Sequence, residues 1–324
     1  MRNLLVMMAL LIALPANAKK PKKSKKNTEE APLTESADAA PGTVAMGCPT
    51  AGSVARYAVG RTRSKGDALD KDNEAVLALH ILGDADGIVS GKLVTESMEI
   101  GVYPPPPMGD LVRGLLERSE EFPVPTFDAD VEGADLVVTN LEAQRQAMGP
   151  IFDELWDAAL QTLPPEGQAQ MANMKDTIVT VMLSDASLSQ EVLEIVQPSF
   201  SFSCGAIEIG ERTLDSSYAS PLDPSVMLPS ELNLTITDSG DALRIVSIER
   251  LGDIDTRALL SPLLEASGVD MSQFPEELLK LTISAETDLT VNKKTGLADA
   301  WTFTKTVQVI DQTSVEATTV KRLE

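Results

Sequence analysis

The chain has 324 residues, of which 27 are Lys or Arg, 49 are Asp or Glu and one is His, for a formal net charge of −22. That balance excludes a nucleic-acid surface, which needs clustered Lys and Arg, and it repels anionic lipid. The lone histidine, His80, excludes histidine-rich metal sites and argues against a Ser-His-Asp triad.

In chain order, Arg2, the apolar run Leu4 to Leu14 and Ala16-Asn17-Ala18 have the form of a secretory signal peptide over residues 1–18, cleaved after Ala18. The run is shorter than the ~20 apolar residues a membrane span takes. An uncleaved anchor is the alternative; the lysines that follow disfavour it, because they would keep their side in the cytoplasm. Residues 19–46 read as a disordered tether, Lys19 to Lys26 (KKPKKSKK) first, then acidic and rich in Pro and Ala. Without Arg2 and the six lysines of the tail, 20 basic residues face 49 acidic ones past Lys26, a net −29. The plain reading is a soluble, self-repelling envelope protein, periplasmic or secreted. The sharper one has the lysine tail dock on an anionic polymer or lipid.

The body, residues 47–324, opens with strand patterns at Ser53 to Gly60, Glu74 to Leu82 and Ile88 to Ile100. A charged loop is expected at Arg61 to Asn73 and a turn at Gly83 to Gly87. His80 falls inside the second strand, as a satisfied strand histidine. Tyr103 to Pro107 is a polyproline break. Asp110 caps a short helix to Arg118. Val124 to Val131 and Ala134 to Thr139 flank Glu132-Gly133 as a hairpin. Asp128, Asp130 and Glu132 imitate the start of a calcium loop, but Asp135 and Thr139 stand where an apolar residue and a bidentate Glu belong, so no metal site is expected.

Residues 141–197 then switch to a helical period. Ile151, Phe152, Leu155, Trp156, Ala159, Leu160 and Leu163 form one apolar stripe, and Pro164-Pro165 ends that helix. Met171, Met174, Ile178 and Val181 continue the period, although 177–183 reads as helix or strand. Ser187 and Gln190 make a capping box for a helix that starts at Leu188 and stops at Pro198. Methionines around Trp156 describe either core packing or a lid over an apolar groove, as in periplasmic lipid or lipoprotein carriers built from a curved sheet. The candidate ligand-binding residues are therefore Trp156, Met171 and Met174.

Strand patterns resume at Ser199 to Glu208, Leu232 to Ile236 and Leu243 to Ile248. Asp255 to Gly268 reads as helix and Pro275 to Lys280 as a turn. The clearest pattern is residues 281–323. Leu281, Ile283, Ala285, Leu289 and Val291 alternate with polar residues. Asn292 to Gly296 turns, with Gly296 suited to a left-handed position that closes a bulged hairpin. Trp301, Phe303, Val307 and Val309 share one face of the return strand, and Val315 and Ala317 alternate with Glu316 and Thr318 in a third. The fold class is α+β: an antiparallel sheet with helical inserts on one face, ending in a three-stranded meander.

In the order of its parts the chain resembles uncharacterised exported bacterial proteins of a domain-of-unknown-function type. In those, a helical insert precedes a strand shaped like Ala206-Ile207-Glu208-Ile209-Gly210-Glu211. A strand pair like Leu232 to Ile248 follows, then a hairpin turning on a segment like Lys293 to Leu297. The resemblance spans about residues 53–323, with Arg212 where such strands carry an aromatic residue. It implies no activity.

Cys48 and Cys204 are the two cysteines, and export makes a disulfide the default over two free buried thiols. The sequence holds no G-x-S-x-G, no S-x-x-K, no phosphate-cradling glycine loop and no dinucleotide fingerprint, so no catalytic residue and no cofactor are assigned. The leading expectation is a non-catalytic binding or scaffold protein of the bacterial envelope. A carrier of lipid or acyl chains, held between sheet and insert, is the alternative. A carboxylate-based hydrolase is the third. The partner is an envelope component or an apolar ligand, with no nucleic acid and no transmembrane segment once the signal is removed.

Overall fold

The computed structural model describes residues 42–66, 68–103, 106, 108–130, 135–165, 168, 172, 175, 179–180, 183–219, 227–255, 280–309 and 312–323. The signal peptide, the lysine tail, Met171, Met174, the Glu132-Gly133 turn and the helix expected at 255–268 lie outside the described residues, apart from Asp255.

Among the described residues antiparallel strand dominates, with a few helices. The strands are β1 (Thr43–Met46), β2 (Val54–Lys65), β3 (Ala68–Ala85), β4 (Ile88–Ile100), β5 (Thr126–Asp130), β6 (Asp135–Val138), β7 (Gly205–Glu208), β8 (Gly210–Ala219), β9 (Met227–Ser239), β10 (Ala242–Asp255), β11 (Lys280–Asn292), β12 (Ala298–Val309) and β13 (Gln312–Leu323). The helices are α1 (Met108–Glu117), α2 (Leu141–Gln161) and α3 (Asp185–Phe200).

Eleven strands make one open sheet in the order β6-β5-β4-β3-β2-β13-β12-β11-β10-β9-β8. Every neighbour but one is a chain neighbour. The exception is β2 on β13, where the first and last strands of the sheet join its two halves. The insert is thus tied to both edges: it leaves from β6 and returns to β8. Flat, the sheet would be about 48 Å wide at ~4.8 Å per strand. Helices the length of α2 and α3 cover about 31 and 24 Å. Connectivity therefore lays the insert across one face, which is why that face carries the apolar residues.

The covered face buries Tyr57, Leu77, Leu243, Ile245, Leu289, Val291, Trp301 and Val320. From α3, Val192, Ile195, Val196 and Phe200 pack onto it at helical spacing. Each buried side chain of this kind contributes about 1.5–3 kcal/mol as an upper figure. Phe200 meets Phe127 edge to face, with centroids 5.8 Å apart, and Tyr57 meets Trp301 in the same way. The Tyr57 hydroxyl donates to the Ala298 carbonyl at 3.2 Å.

The C-terminal meander forms as its alternation predicts. Gly296 has φ +67° and the β11–β12 register slips between Thr290 and Val291, a bulged hairpin. Its third strand has the opposite phase to the one the sequence suggests. Pairing sets Val320 against Trp301, Thr318 against Phe303 and Glu316 against Lys305, so Glu316 and Thr318 take the covered face, and Val315 and Ala317 the free one. Burying Val320 decides the register, because a slip of one residue would turn every side chain over.

Four further expectations change. The loop expected at Arg61 to Asn73 is mostly strand, since β2 runs to Lys65 and β3 starts at Ala68. Its charge is accommodated because Arg61 meets Glu194 of α3 at 3.1 Å. Pro198 lies inside α3 rather than ending it, and the strand expected from Ser199 shrinks to Gly205–Glu208. Continuing the helix carries Phe200 onto Phe127. The first helix starts at Met108, placing Asp110 within its first turn. Finally, Thr43–Met46, inside the expected tether, is a strand paired with β7.

Candidate functional site

Trp156 is fully buried in α2. It stacks on Phe152 at 5.6 Å between centroids and, with Leu111 of α1, forms a cluster of its own. Leu115, Leu155, Leu160 and Val179 flank that cluster. It is distinct from the core between α3 and the sheet, so α1 and α2 bury their apolar stripes mainly against each other. The Trp156 indole N–H is buried and meets no acceptor among the described residues. Arg118 bridges the pair at the surface, to Glu121 at 2.7 Å and to Glu154 at 2.6 Å. Val179 and Thr180, in the stretch readable as helix or strand, are helical.

The clearest concavity is on the other face. A transverse row of paired residues runs Arg244, Thr290, Ala300, Lys321, Ala58, Val76, Ser97, one from each of seven adjacent strands. A second row runs Asp288, Thr302, Thr319, Gly60, Glu74, Glu99. Both line one groove of about 930 Å³. Residues six strands apart share it, so the sheet curves towards this side, away from α3. Small side chains along the floor permit that curvature; a Cβ on Gly60 would already stand 3.2 Å from the Thr319 hydroxyl.

The groove's chemistry differs along its length. At one end Arg244 grips Asp288 with two hydrogen bonds, 3.0 and 2.7 Å. That grip holds the Asp288 carboxyl below the ordinary carboxylate range and raises the guanidinium. At the other end Glu74 and Glu99 are exposed and directly opposite, a like-charge pairing that a sheet disfavours. Between them the floor is Ala, Gly, Val and Thr, with the exposed Lys321 midway along it. The sequence gives no warning of this site, because its residues are scattered over seven strands as ordinary solvent-side positions.

A polar band crosses the covered face. Lys305 is 5% exposed, and burial lowers its pKa while Glu316 opposite raises it. His80 is a half-buried residue of β3. Among the described residues no group of three His, Cys, Asp or Glu side chains could hold a metal ion. No described helix is long and apolar enough to cross a membrane.

Cys48 and Cys204 are joined in a disulfide with Cα atoms 4.6 Å apart. It lies in a junction of three segments. Gly47 N–H donates to Lys293 O at 2.6 Å, Cys204 N–H to Gly47 O at 3.1 Å, and the Ser203 hydroxyl to Gly296 O at 2.5 Å.

No family model matches the chain. Among solved structures it is similar to lipovitellin, from a study of lipid–protein interactions in that protein, at 9% identity and TM-score 0.43. The match covers 85% of this chain and 25% of that one, so the chain spans about a quarter of lipovitellin's length. An outer membrane channel from Pseudomonas putida F1 aligns at 8% identity and TM-score 0.15, over 90% of this chain and all of that one.

Proposed function

We propose that the chain is a non-catalytic binding module whose ligand lies in the groove on the face opposite α3. The observation that carries this reading is the 930 Å³ concavity lined by two paired rows across the sheet. Its floor of small residues, with Lys321 midway along it, suits an elongated, chiefly apolar body that carries an acceptor near its middle. Glu74 and Glu99 suit a cationic end, and the neutralised Arg244–Asp288 pair closes the opposite end. The exposure of Glu74 and Glu99 argues against tuned acid–base catalysis, which uses burial to shift a carboxyl pKa.

A second reading, a carrier of acyl chains under the insert, has its own support. The α1–α2 cluster is separate from the sheet core, and Trp156 offers a buried N–H with no acceptor among the described residues. Location outside the cytoplasm belongs to both readings. The Cys48–Cys204 bond supports it, since disulfides persist in oxidising compartments. A mature N-terminus at Lys19, read by intact mass, tests it.

The two tryptophans separate the two sites. Trp301 lies directly beneath the groove floor, between Ala300 and Thr302 with its ring on the covered face, and Trp156 lies in the insert. A spin-labelled cationic amphiphile that quenches Trp301 in a Trp156→Phe background, and loses this on Ala58→Phe, supports the groove. Quenching of Trp156 alone, in a Trp301→Phe background, transfers the site to the insert. Quenching of neither overturns both readings.

A further inference from the structure

The open sheet has two unequal edges. β6 is four residues long; β8 is ten, Gly210–Ala219, and among the described residues it pairs only with β9. Gly210 to Asp215 are all exposed, and Leu214 keeps 44% of its surface in water. The strand contains no proline and no lysine, two of the usual guards of a sheet edge. Its outer backbone groups are a template for one more strand.

The sequence of β8 constrains which strand that is. If a second copy adds antiparallel about a two-fold axis normal to the sheet, directly opposed residues must share a face, so the axis passes through one residue. Centring on Arg212 sets Arg212 against itself. Centring on Thr213 sets Glu211 against Asp215, and centring on Glu211 or Asp215 sets that acid against itself. Each of these opposes like charges, which destabilises a pairing. Centring on Leu214, Ser216 or Ser217 opposes none within the strand, but only the Leu214 centre sets the exposed leucines against each other and pairs most of β8: Leu214 meets Leu214, Thr213 meets Asp215, Arg212 meets Ser216 and Glu211 meets Ser217. Leu214 lies on the covered face, since its partner Leu232 is in phase with buried Ile236. That register therefore also removes the exposed leucine from water.

We propose that the β8 edge is a self-association surface, through which two copies join antiparallel about Leu214 into one continuous sheet. The net charge of −22 opposes the approach, and salt screens charges beyond about 10 Å at 0.1 M, so the dimer strengthens as ionic strength rises.

Sedimentation of the full chain across protein concentration and salt tests this. The expected result is a monomer–dimer equilibrium that moves to dimer with salt. Leu214→Lys weakens it severalfold without lowering the melting temperature of the monomer, and Leu214→Cys gives a disulfide-linked dimer under mild oxidation. A monomer at every attainable concentration and salt overturns the proposal. So does a dimer indifferent to Leu214→Lys, or one in which Arg212→Cys cross-links and Leu214→Cys does not.

Discussion

Gly47 and Gly296 pack backbone against backbone: a Cβ on Gly296 would stand 2.2 Å from the carbonyl oxygen of Gly47. The constraint is mutual, since a Cβ on Gly47 would stand 2.0 Å from Lys294 O. Neither obstacle is a side chain that can rotate away. Gly296 also needs its φ of +67°, which costs other residues strain. Gly296→Ala and Gly47→Ala should therefore each destabilise by more than about 2 kcal/mol. Gly52→Ala, at a positive φ but with open space around it, should cost less. Urea midpoints of the three variants check the ranking.

The same junction holds the disulfide. Cys48 and Cys204 are 156 residues apart, so loop closure alone contributes up to about 5 kcal/mol. Replacing both by Ser should lower the urea midpoint by no more than that, because the hydrogen bonds from Gly47, Ser203 and Cys204 remain. Amide exchange should rise first in β1 and β7, the pair next to the bond.

Lys305 and Glu316 give a pH signature. Burial holds the Lys305 pKa below its ordinary value, so near neutral pH the folded state bears the cost of a desolvated ammonium. As pH rises past the folded pKa towards the unfolded value of about 10.4, the unfolded chain binds more protons and stability increases. A wild-type melting temperature that climbs on the alkaline side, and a Lys305→Met variant that lacks this component, are expected. Glu316→Gln removes the compensating charge and should cost about 1–3 kcal/mol near neutral pH.

Trp156→Ala should cost about 3–5 kcal/mol within the insert. Because the Leu111–Phe152–Trp156 cluster is separate from the sheet core, the loss should be local. Hydrogen exchange should report lost protection in α1 and α2 and retained protection in β11 to β13. Equal loss in both would show that the two cores act as one.

Local signals were legible where one interaction dominates. Ile88–Ile100 has the bounds its alternation predicts, Gly296 takes the left-handed turn position, and the disulfide joins the only two cysteines. Misreadings fell where a distant partner outweighs local preference. Phe200 extends α3 through Pro198 to reach Phe127, and Val320 reverses the phase of β13 by packing beside Trp301.

The sequence by itself determined an antiparallel, strand-rich body with a helical insert, because period-two and period-3.6 patterns are properties of neighbouring residues. Only the tertiary structure decided that β2 pairs with β13, that the insert crosses from one sheet edge to the other, and that the groove opens on the face opposite α3. Ala58, Val76, Thr290 and Lys321 are neighbours only because hydrogen-bond register aligns strands far apart in the chain, and register is an energy of pairing that no single strand contains.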